Sequence, residues 1–281
     1  GGVGARHAGE AFGDNYELPN MTAYNETCAA ISMVYLFERM FLLHGESKYI
    51  DCMERTLYNG VISGMSMDGG RFFYPNPLSS DGKYKFNADG NTTRQPWFGC
   101  ACCPSNLCRF IPSVPGYLYG VKDNNIYVNL FAGNTSTIKV NGKDVVLEET
   151  TEYPWDGDIK IAVKKSGVKN ANLLVRIPGW VRNQVVPSDL YKYSDAEKPA
   201  YSVTVNGKAV EADLDANKGY LPVKNIKKGD VIRIHFDMPV RTVVANTKVA
   251  DDNDKIAVER GPLVYCAEAV DNSNEPVLPA V

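Results

Sequence analysis

Cys100, Cys102 and Cys103 place three sulfurs within four residues, in Gly99-Cys100-Ala101-Cys102-Cys103-Pro104. Glu26 and Cys28 supply a carboxylate and a fourth sulfur far upstream. A disulfide between adjacent cysteines strains the peptide that joins them, so vicinal thiols such as Cys102 and Cys103 point to metal ligation or redox chemistry. Glu26 and Cys28 are two residues apart and would face away from each other inside a helix. They can share one ion only where the backbone is extended or just entering a helix. Capping residues around Asn25 predict such an entry, and Pro104 predicts another just after Cys103. Helix N-termini favour anions and depress thiol pKa. A Zn²⁺ held by Glu26, Cys28, Cys102 and Cys103 would be tetrahedral with ordinary ligand types. Three other readings stay open on these residues alone: a purely structural zinc, a set in which Cys100 replaces Cys102 or Cys28, and no ion at all.

Other groups could serve a site. Glu10 lies in the loop Gly9-Glu10-Ala11-Phe12, with His7, Asp14 and Glu17 nearby, so proximity does not select the acid. Glu54, beside Arg55, reads as an ion pair or a buried hydrogen-bonding group, while Tyr74 and Trp97 suit sugar stacking or packing. Cys52, Cys108 and Cys266 are expected in the core.

The elements that must position these groups fall into two regimes meeting near residue 118. The first is helical. Residues 28–43 carry Ile31, Met33, Val34, Leu36, Phe37, Met40 and Phe41, apolar around more than half the circumference, and His44-Gly45 stops the helix. Ser47 is expected to cap a second helix, with Tyr49, Ile50, Met53, Leu57 and Val61 at helical spacing and Gly64 at its end. Residues 65–99 read as a long irregular connection, of the kind that often carries function. Pro104 then opens a short helix at its first position, and Pro112 stops it. The second regime is β, with alternating runs such as 126–131 and 231–236 and hairpin turns at Asn141-Gly142 and Asn206-Gly207. These signals predict an antiparallel β-sandwich. The apolar face of residues 28–43 needs more helical partners than the chain supplies, which implies a missing N-terminal half and a tendency to self-associate.

Composition narrows the class. The chain has 281 residues, 44% of them apolar, and a net charge of −3, which offers nothing to nucleic acid or an anionic membrane surface. No apolar run reads as approaching the roughly 18 residues of a bilayer span. Of seven cysteines, six precede residue 110. That distribution is unlike a secreted disulfide scaffold and implies a reduced, cytoplasmic setting or thiols protected by metal, with the periplasm left open.

Taken in order, the motifs resemble glycoside hydrolase family 127, the β-L-arabinofuranosidases. They are Gly1-Gly2-Val3-Gly4 through Gly9-Glu10-Ala11-Phe12, Tyr16-Glu17-Leu18-Pro19-Asn20, Glu26-Thr27-Cys28, Glu54-Arg55-Thr56-Leu57-Tyr58-Asn59, Cys102-Cys103-Pro104-Ser105-Asn106 and Gly261-Pro262-Leu263-Val264-Tyr265. The resemblance implies an α+β multidomain fold: residues 1–118 as the last part of an (α/α)₆ barrel and 119–281 as a β-sandwich. It also implies a retaining hydrolase that removes terminal β-L-arabinofuranosyl residues from an oligosaccharide or glycoconjugate. Cys102 would be the nucleophile and Glu10 the general acid/base. Glu26, Cys28, Cys102 and Cys103 would hold Zn²⁺, and Glu54 and Tyr74 would contact the sugar. The alternative from another class is a non-catalytic, zinc-stabilised carbohydrate-binding or scaffold module.

Overall fold

The computed structural model describes residues 12–273 and 277. Glu10 and His7 lie outside the described residues. Helix α1 spans Thr27–His44; Glu26, its N-cap, has extended backbone (φ −64°, ψ 137°). Gly45 ends it in the left-handed conformation (φ 64°), and its N–H donates to the Phe41 carbonyl. Helix α2 spans Ser47–Thr56 and runs on through a π turn, Leu57–Val61, and a 3₁₀ turn, Ile62–Gly64. Ser47 is its first helical residue and not its cap. The Ser47 hydroxyl accepts from Arg182 at 3.0 Å, so it is used across the chain and not on its own helix. Helix α3 spans Cys102–Phe110, so Pro104 is its third residue and Cys102 and Cys103 fill the first turn. Pro104 is tolerated there because the first four N–H groups of a helix have no intrahelical acceptor. The α-helix stops two residues before Pro112, and the chain tightens into a 3₁₀ segment, Ile111–Tyr117.

Strands take over from there. They are β1 (Tyr119–Lys122), β2 (Asn125–Val128), β3 (Asn134–Val140), β4 (Lys143–Thr151) and β5 (Asp158–Ser166). Next come β6 (Asn172–Arg176), β7 (Tyr191–Tyr193), β8 (Tyr201–Val205), β9 (Lys208–Ala209) and β10 (Tyr220–Val223). The last four are β11 (Val231–Phe236), β12 (Val240–Ala245), β13 (Ala257–Arg260) and β14 (Leu263–Tyr265). They form sheets ordered β1-β2-β6-β10, β3-β4-β5-β11-β8-β9 and β14-β13-β12-β7. Pairing is antiparallel except that β2 and β6 run parallel, with Ile126 opposite Leu173. A sandwich with a third small sheet therefore replaces the purely antiparallel one expected. Both predicted hairpin turns have positive φ at each central residue: Asn141 48°, Gly142 76°, Asn206 50°, Gly207 80°. That is the geometry of a turn whose twist matches its strands.

Strands β2, β6 and β10 of the first sheet pack on both faces, and this joins the helices to the sandwich. Ile126, Val128, Leu173, Val175 and Leu221 point into the sandwich core. Their neighbours Tyr127, Leu174 and Tyr220 pack with α1 and α2. Phe41 sits edge-on to Tyr127 at 5.4 Å between ring centres. The expectation of an uncovered helix stripe is corrected in its residues. Ile31, Val34, Phe41, Ile50, Met53 and Leu57 are buried by this sheet and by α3. The apolar surface left exposed on α1 is Tyr35, Leu36, Leu42 and Leu43. A second correction concerns length and composition: α1, with 18 residues and mean hydropathy 1.2, meets those of a bilayer span. Here its inner face packs against protein. Cys108 and Cys266 are exposed, contrary to the core positions expected for them.

Candidate metal centre

The sulfur groups converge on two helix entries held together by backbone contacts. At Gly64 an added Cβ would fall 2.7 Å from Thr27 Oγ1, so only glycine lets the end of the α2 segment approach the start of α1 this closely. Thr27 Oγ1 donates to the Phe73 carbonyl at 2.9 Å, Thr27 N to the Tyr74 carbonyl at 3.0 Å, and Phe73 N to the Gly64 carbonyl at 2.8 Å. Residues 72–76 thus lie alongside the entry to α1 and carry Tyr74 to it.

The long connection is fixed by Asn87, which is buried. Its Oδ1 accepts from Tyr74 N at 2.8 Å and Ala88 N at 3.0 Å, and its Nδ2 donates to the Thr93 carbonyl at 2.8 Å. Phe72 and Gln95 exchange backbone hydrogen bonds. Sequence reasoning missed Asn87, whose only signal was an asparagine inside a turn-rich run.

Glu26, Cys28, Cys102 and Cys103 offer one ligand atom each, all within 4.8 Å of one another. Cys102 Sγ lies 3.9 Å from Cys103 Sγ and 3.7 Å from Glu26 Oε1; Cys103 Sγ lies 3.4 Å from Glu26 Oε1. Tetrahedral coordination with ordinary Zn–S and Zn–O bond lengths requires S···S of about 3.8 Å and S···O of about 3.6 Å. The donor set therefore fits a tetrahedral thiophilic ion. Cys100 is exposed and is not among the four. Glu26 and Cys103 are buried, whereas Cys28 and Cys102 are only half-buried, so the cluster opens to solvent on the Cys102 side. Cys102 Sγ donates to the Tyr74 hydroxyl at 2.9 Å, and Tyr74 packs edge-on to Phe98.

Protons are shared unevenly across this cluster. Hydrogen bonds from Cys103, opposed by burial and aided by Asn106, lower the Cys28 thiol to about 7. Asn106 is a contributor the sequence reading quoted only as part of a motif; it stands one helical turn beyond Cys103. Burial pushes the Cys102 thiol up to about 11, against the Tyr74 hydrogen bond. Donation to Cys28, then burial, raise Cys103 further. The Tyr74 hydroxyl, bonded to Cys102, is likewise raised well above the phenol range. Burial and the shared hydrogen bonds thus keep protons on Cys102 and Cys103, and a bound dication would reverse that balance.

Glu54, expected to contact the sugar, is not brought to the thiol cluster. It is buried between α2 and β6, its oxygens taken by Arg176 (2.5 and 3.2 Å) and the Tyr153 hydroxyl (2.9 Å). Arg176 also bonds Asp51 at 2.7 Å and the Asn129 carbonyl at 2.5 Å. Burial pushes the Glu54 carboxyl up while Arg176 pulls it down. For Arg176, the Glu54 and Asp51 charges outweigh burial and hold the guanidinium charged.

Three family models match in order: the β-L-arabinofuranosidase GH127 catalytic domain over residues 1–116, the GH127 middle domain over 125–238, and the glycoside hydrolase family 127 C-terminal domain over 240–279. The chain is 36% identical, over 98% of its length, to the non-reducing end β-L-arabinofuranosidase of Bifidobacterium longum subsp. longum, and it covers 40% of that protein. It is similar to a solved GH127 β-arabinofuranosidase at 58% identity and TM-score 0.89, covering 96% of this chain and 41% of the other. A GH127 β-L-arabinofuranosidase from Geobacillus stearothermophilus T6 gives 38% identity and TM-score 0.79, covering 93% of this chain and 39% of that one. The chain thus spans about two fifths of the length of these relatives. With three models of one family following one another along almost the whole chain, the chain belongs to glycoside hydrolase family 127.

Proposed function

We propose that this chain carries the catalytic cysteine and metal ligands of a retaining glycoside hydrolase that releases terminal β-L-arabinofuranosyl residues. The observation that carries the reading is the convergence of Glu26, Cys28, Cys102 and Cys103, with Cys102 the least enclosed vicinal sulfur and at the first position of α3. Zn²⁺ held by these four groups would keep the sulfurs deprotonated at neutral pH. The Cys102 sulfur attacks the anomeric carbon, and the glycosidic oxygen leaves with a proton. Glu10 is the proposed donor of that proton. It then takes a proton from the water that hydrolyses the thioglycoside, so the configuration is retained. The free N–H groups of the first turn of α3 favour negative charge on Cys102 before attack. Tyr74 fixes the direction of the Cys102 sulfur through its hydroxyl. The helices are proposed as the last part of an (α/α)₆ barrel whose other helices complete the sugar pocket.

The test is a chromogenic β-L-arabinofuranoside offered to the enzyme and to its Cys102→Ser and Glu10→Gln variants. Cys102→Ser should lose turnover by at least about 10³-fold, since a serine hydroxyl stays protonated where a thiolate forms. Mass spectrometry of rapidly quenched enzyme should show one pentosyl unit on the peptide containing Cys102. Glu10→Gln should recover partly with leaving groups that need no proton. Full activity of Cys102→Ser, or inversion at the anomeric carbon, would refute the reading.

A further inference from the structure

Residues 73–76 are clamped between the entry to α1 and the end of the α2 segment. On the α1 side, Pro75 lies opposite Glu26 in an antiparallel bridge, Thr27 N donates to the Tyr74 carbonyl at 3.0 Å, and Asn76 N donates to the Asn25 carbonyl at 3.1 Å. On the other side, Phe73 N donates to the Gly64 carbonyl at 2.8 Å and Asn76 Nδ2 to the Ser63 hydroxyl at 2.8 Å. The Ser63 hydroxyl gives its own proton to the Asn59 carbonyl at 3.0 Å, so the lone pair that meets Asn76 has a fixed direction. Arg94 Nη2 donates to the Ser63 carbonyl at 2.9 Å, and its guanidinium carbon lies 4.3 Å from the centre of the Phe73 ring. Asn59 is anchored in turn on the C-terminal sheet. Its Nδ2 donates to the Pro262 carbonyl at 2.9 Å, and its Oδ1 accepts from Val264 N in β14 at 2.9 Å. A line of hydrogen bonds therefore runs from β14 through Asn59, Ser63 and Asn76 to Asn25, the residue before Glu26. Asn25 holds φ 33°, a conformation that a non-glycine residue keeps where its surroundings impose it.

We propose, on the reading of Glu26, Cys28, Cys102 and Cys103 as the metal centre, that Ser63 and Asn76 are positioning residues for it, holding the Glu26 carboxylate where it can reach the ion. The three sulfurs are carried differently from the carboxylate. Cys28, Cys102 and Cys103 lie within α1 and α3, whose hydrogen-bond ladders set their backbones. Glu26 is the N-cap, half outside its helix: its carbonyl accepts from Ala30 N at 3.0 Å, while the chain before it takes its direction from Asn25. The Asn76 N–H on the Asn25 carbonyl supplies that direction, and the Ser63 hydroxyl fixes Asn76. Asn76→Ala keeps the backbone N–H and removes its anchor. Ser63→Ala leaves both the Asn76 amide and the Asn59 carbonyl without this hydroxyl. Partners that orient a metal ligand without touching the ion control affinity by about 10–100-fold.

Zinc affinity by chelator competition and the absorption spectrum of the cobalt(II)-loaded protein test this in the parent, Asn76→Ala, Ser63→Ala and Glu26→Ala. Asn76→Ala and Ser63→Ala should each weaken zinc by about tenfold. Their cobalt ligand-field bands should move toward those of Glu26→Ala, with the thiolate-to-cobalt charge-transfer intensity kept because all three sulfurs remain. A double-mutant cycle separates positioning from general loosening. In the Glu26→Ala background, adding Asn76→Ala should cost less than about twofold in zinc affinity, because the ligand it positions is gone. Ser63→Ala, cycled in the same way, carries the test if Asn76→Ala does not fold. Variants that lose thermal stability yet keep the parent's zinc affinity and cobalt bands would overturn the proposal. So would a tenfold loss that persists in the Glu26→Ala background. A parent that takes up neither zinc nor cobalt would sink the metal-centre reading and this proposal with it, whereas a normally loading parent with unchanged variants would sink the positioning role alone.

Discussion

Replacing Arg176 by Met should destabilise the protein more than any single change on its surface. Arg176 is 0% exposed and Glu54 only 2%, and the pair links α2 to β6 across the boundary between helices and sheets. Methionine keeps much of the volume and removes the charge. Glu54 then keeps only the Tyr153 hydroxyl, and Asp51 keeps Arg182 at 2.8 Å. Leaving a buried charge without its partner costs about 3–5 kcal/mol. For a chain of 281 residues that corresponds to roughly 5–8 °C in thermal midpoint. The deficit should depend on pH in a fixed direction. Without Arg176, Glu54 can escape the penalty by binding a proton, so its folded pKa rises above the unfolded value. A raised carboxyl pKa means stability is best preserved below the unfolded value and falls as pH increases. The variant should therefore lose least near pH 5 and most near pH 8. Scanning calorimetry at both values measures this, with Glu54→Leu/Arg176→Met as the control that removes both charges and should recover at least half the loss. A single-variant loss below about 1 kcal/mol, or a double variant no better than the single, would refute the view that an uncompensated charge causes the damage.

The purified chain should hold about one Zn²⁺, and Cys103→Ser should hold much less by elemental analysis; at zinc a hundredfold above Kd the bound ion adds about 2.7 kcal/mol, so chelation should lower the midpoint by roughly 5 °C. Glu149 is buried, and burial raises its pKa to about 8, against hydrogen bonds from Tyr119 and Ala132 N. The stability it contributes is full below its unfolded pKa near 4.3 and is lost as pH rises through about 8; Glu149→Gln should flatten the calorimetric pH profile and raise the midpoint at pH 8. Tyr35, Leu36, Leu42 and Leu43 leave an apolar strip on α1, so the isolated chain should self-associate. Light scattering should show Leu42→Glu/Leu43→Glu shifted toward monomer, and a monomeric parent at micromolar concentration would count against the claim.

What could be read from residues alone divides along a physical line. The convergence of Glu26, Cys28, Cys102 and Cys103 was legible because thiol and carboxylate chemistry is local in type and its entry geometry was signalled nearby, by Asn25 before α1 and Pro104 in α3. The Asn-Gly hairpins were legible because each turn states its own dihedral requirement. Residues whose role depends on distant partners were not. Glu54 sits within a family motif and carries a reactive group, yet its partners Arg176 and Tyr153 lie more than 95 residues away and were invisible until β6 was laid against α2. The same is true of the α1 stripe. Apolar periodicity showed that Ile31, Val34 and Phe41 must be covered, but not by what. The cover is the second face of a sheet whose strands β2 and β6 pair in parallel, an arrangement that no local alternation encodes. Tyr127, Leu174 and Tyr220 look like outward positions of half-buried strands and are instead the seam between the two halves. That seam also bears on chemistry. Phe41 lies on it at one end of α1, and Glu26 is the N-cap at the other, so the helix that presents two of the proposed metal ligands is seated on the sandwich. Substitutions at Tyr127 or Tyr220 should therefore loosen zinc even though neither residue belongs to the cluster. Zinc affinity measured by chelator competition in Tyr220→Leu, set against its loss of thermal stability, would decide whether the sandwich anchors the centre or merely adjoins it.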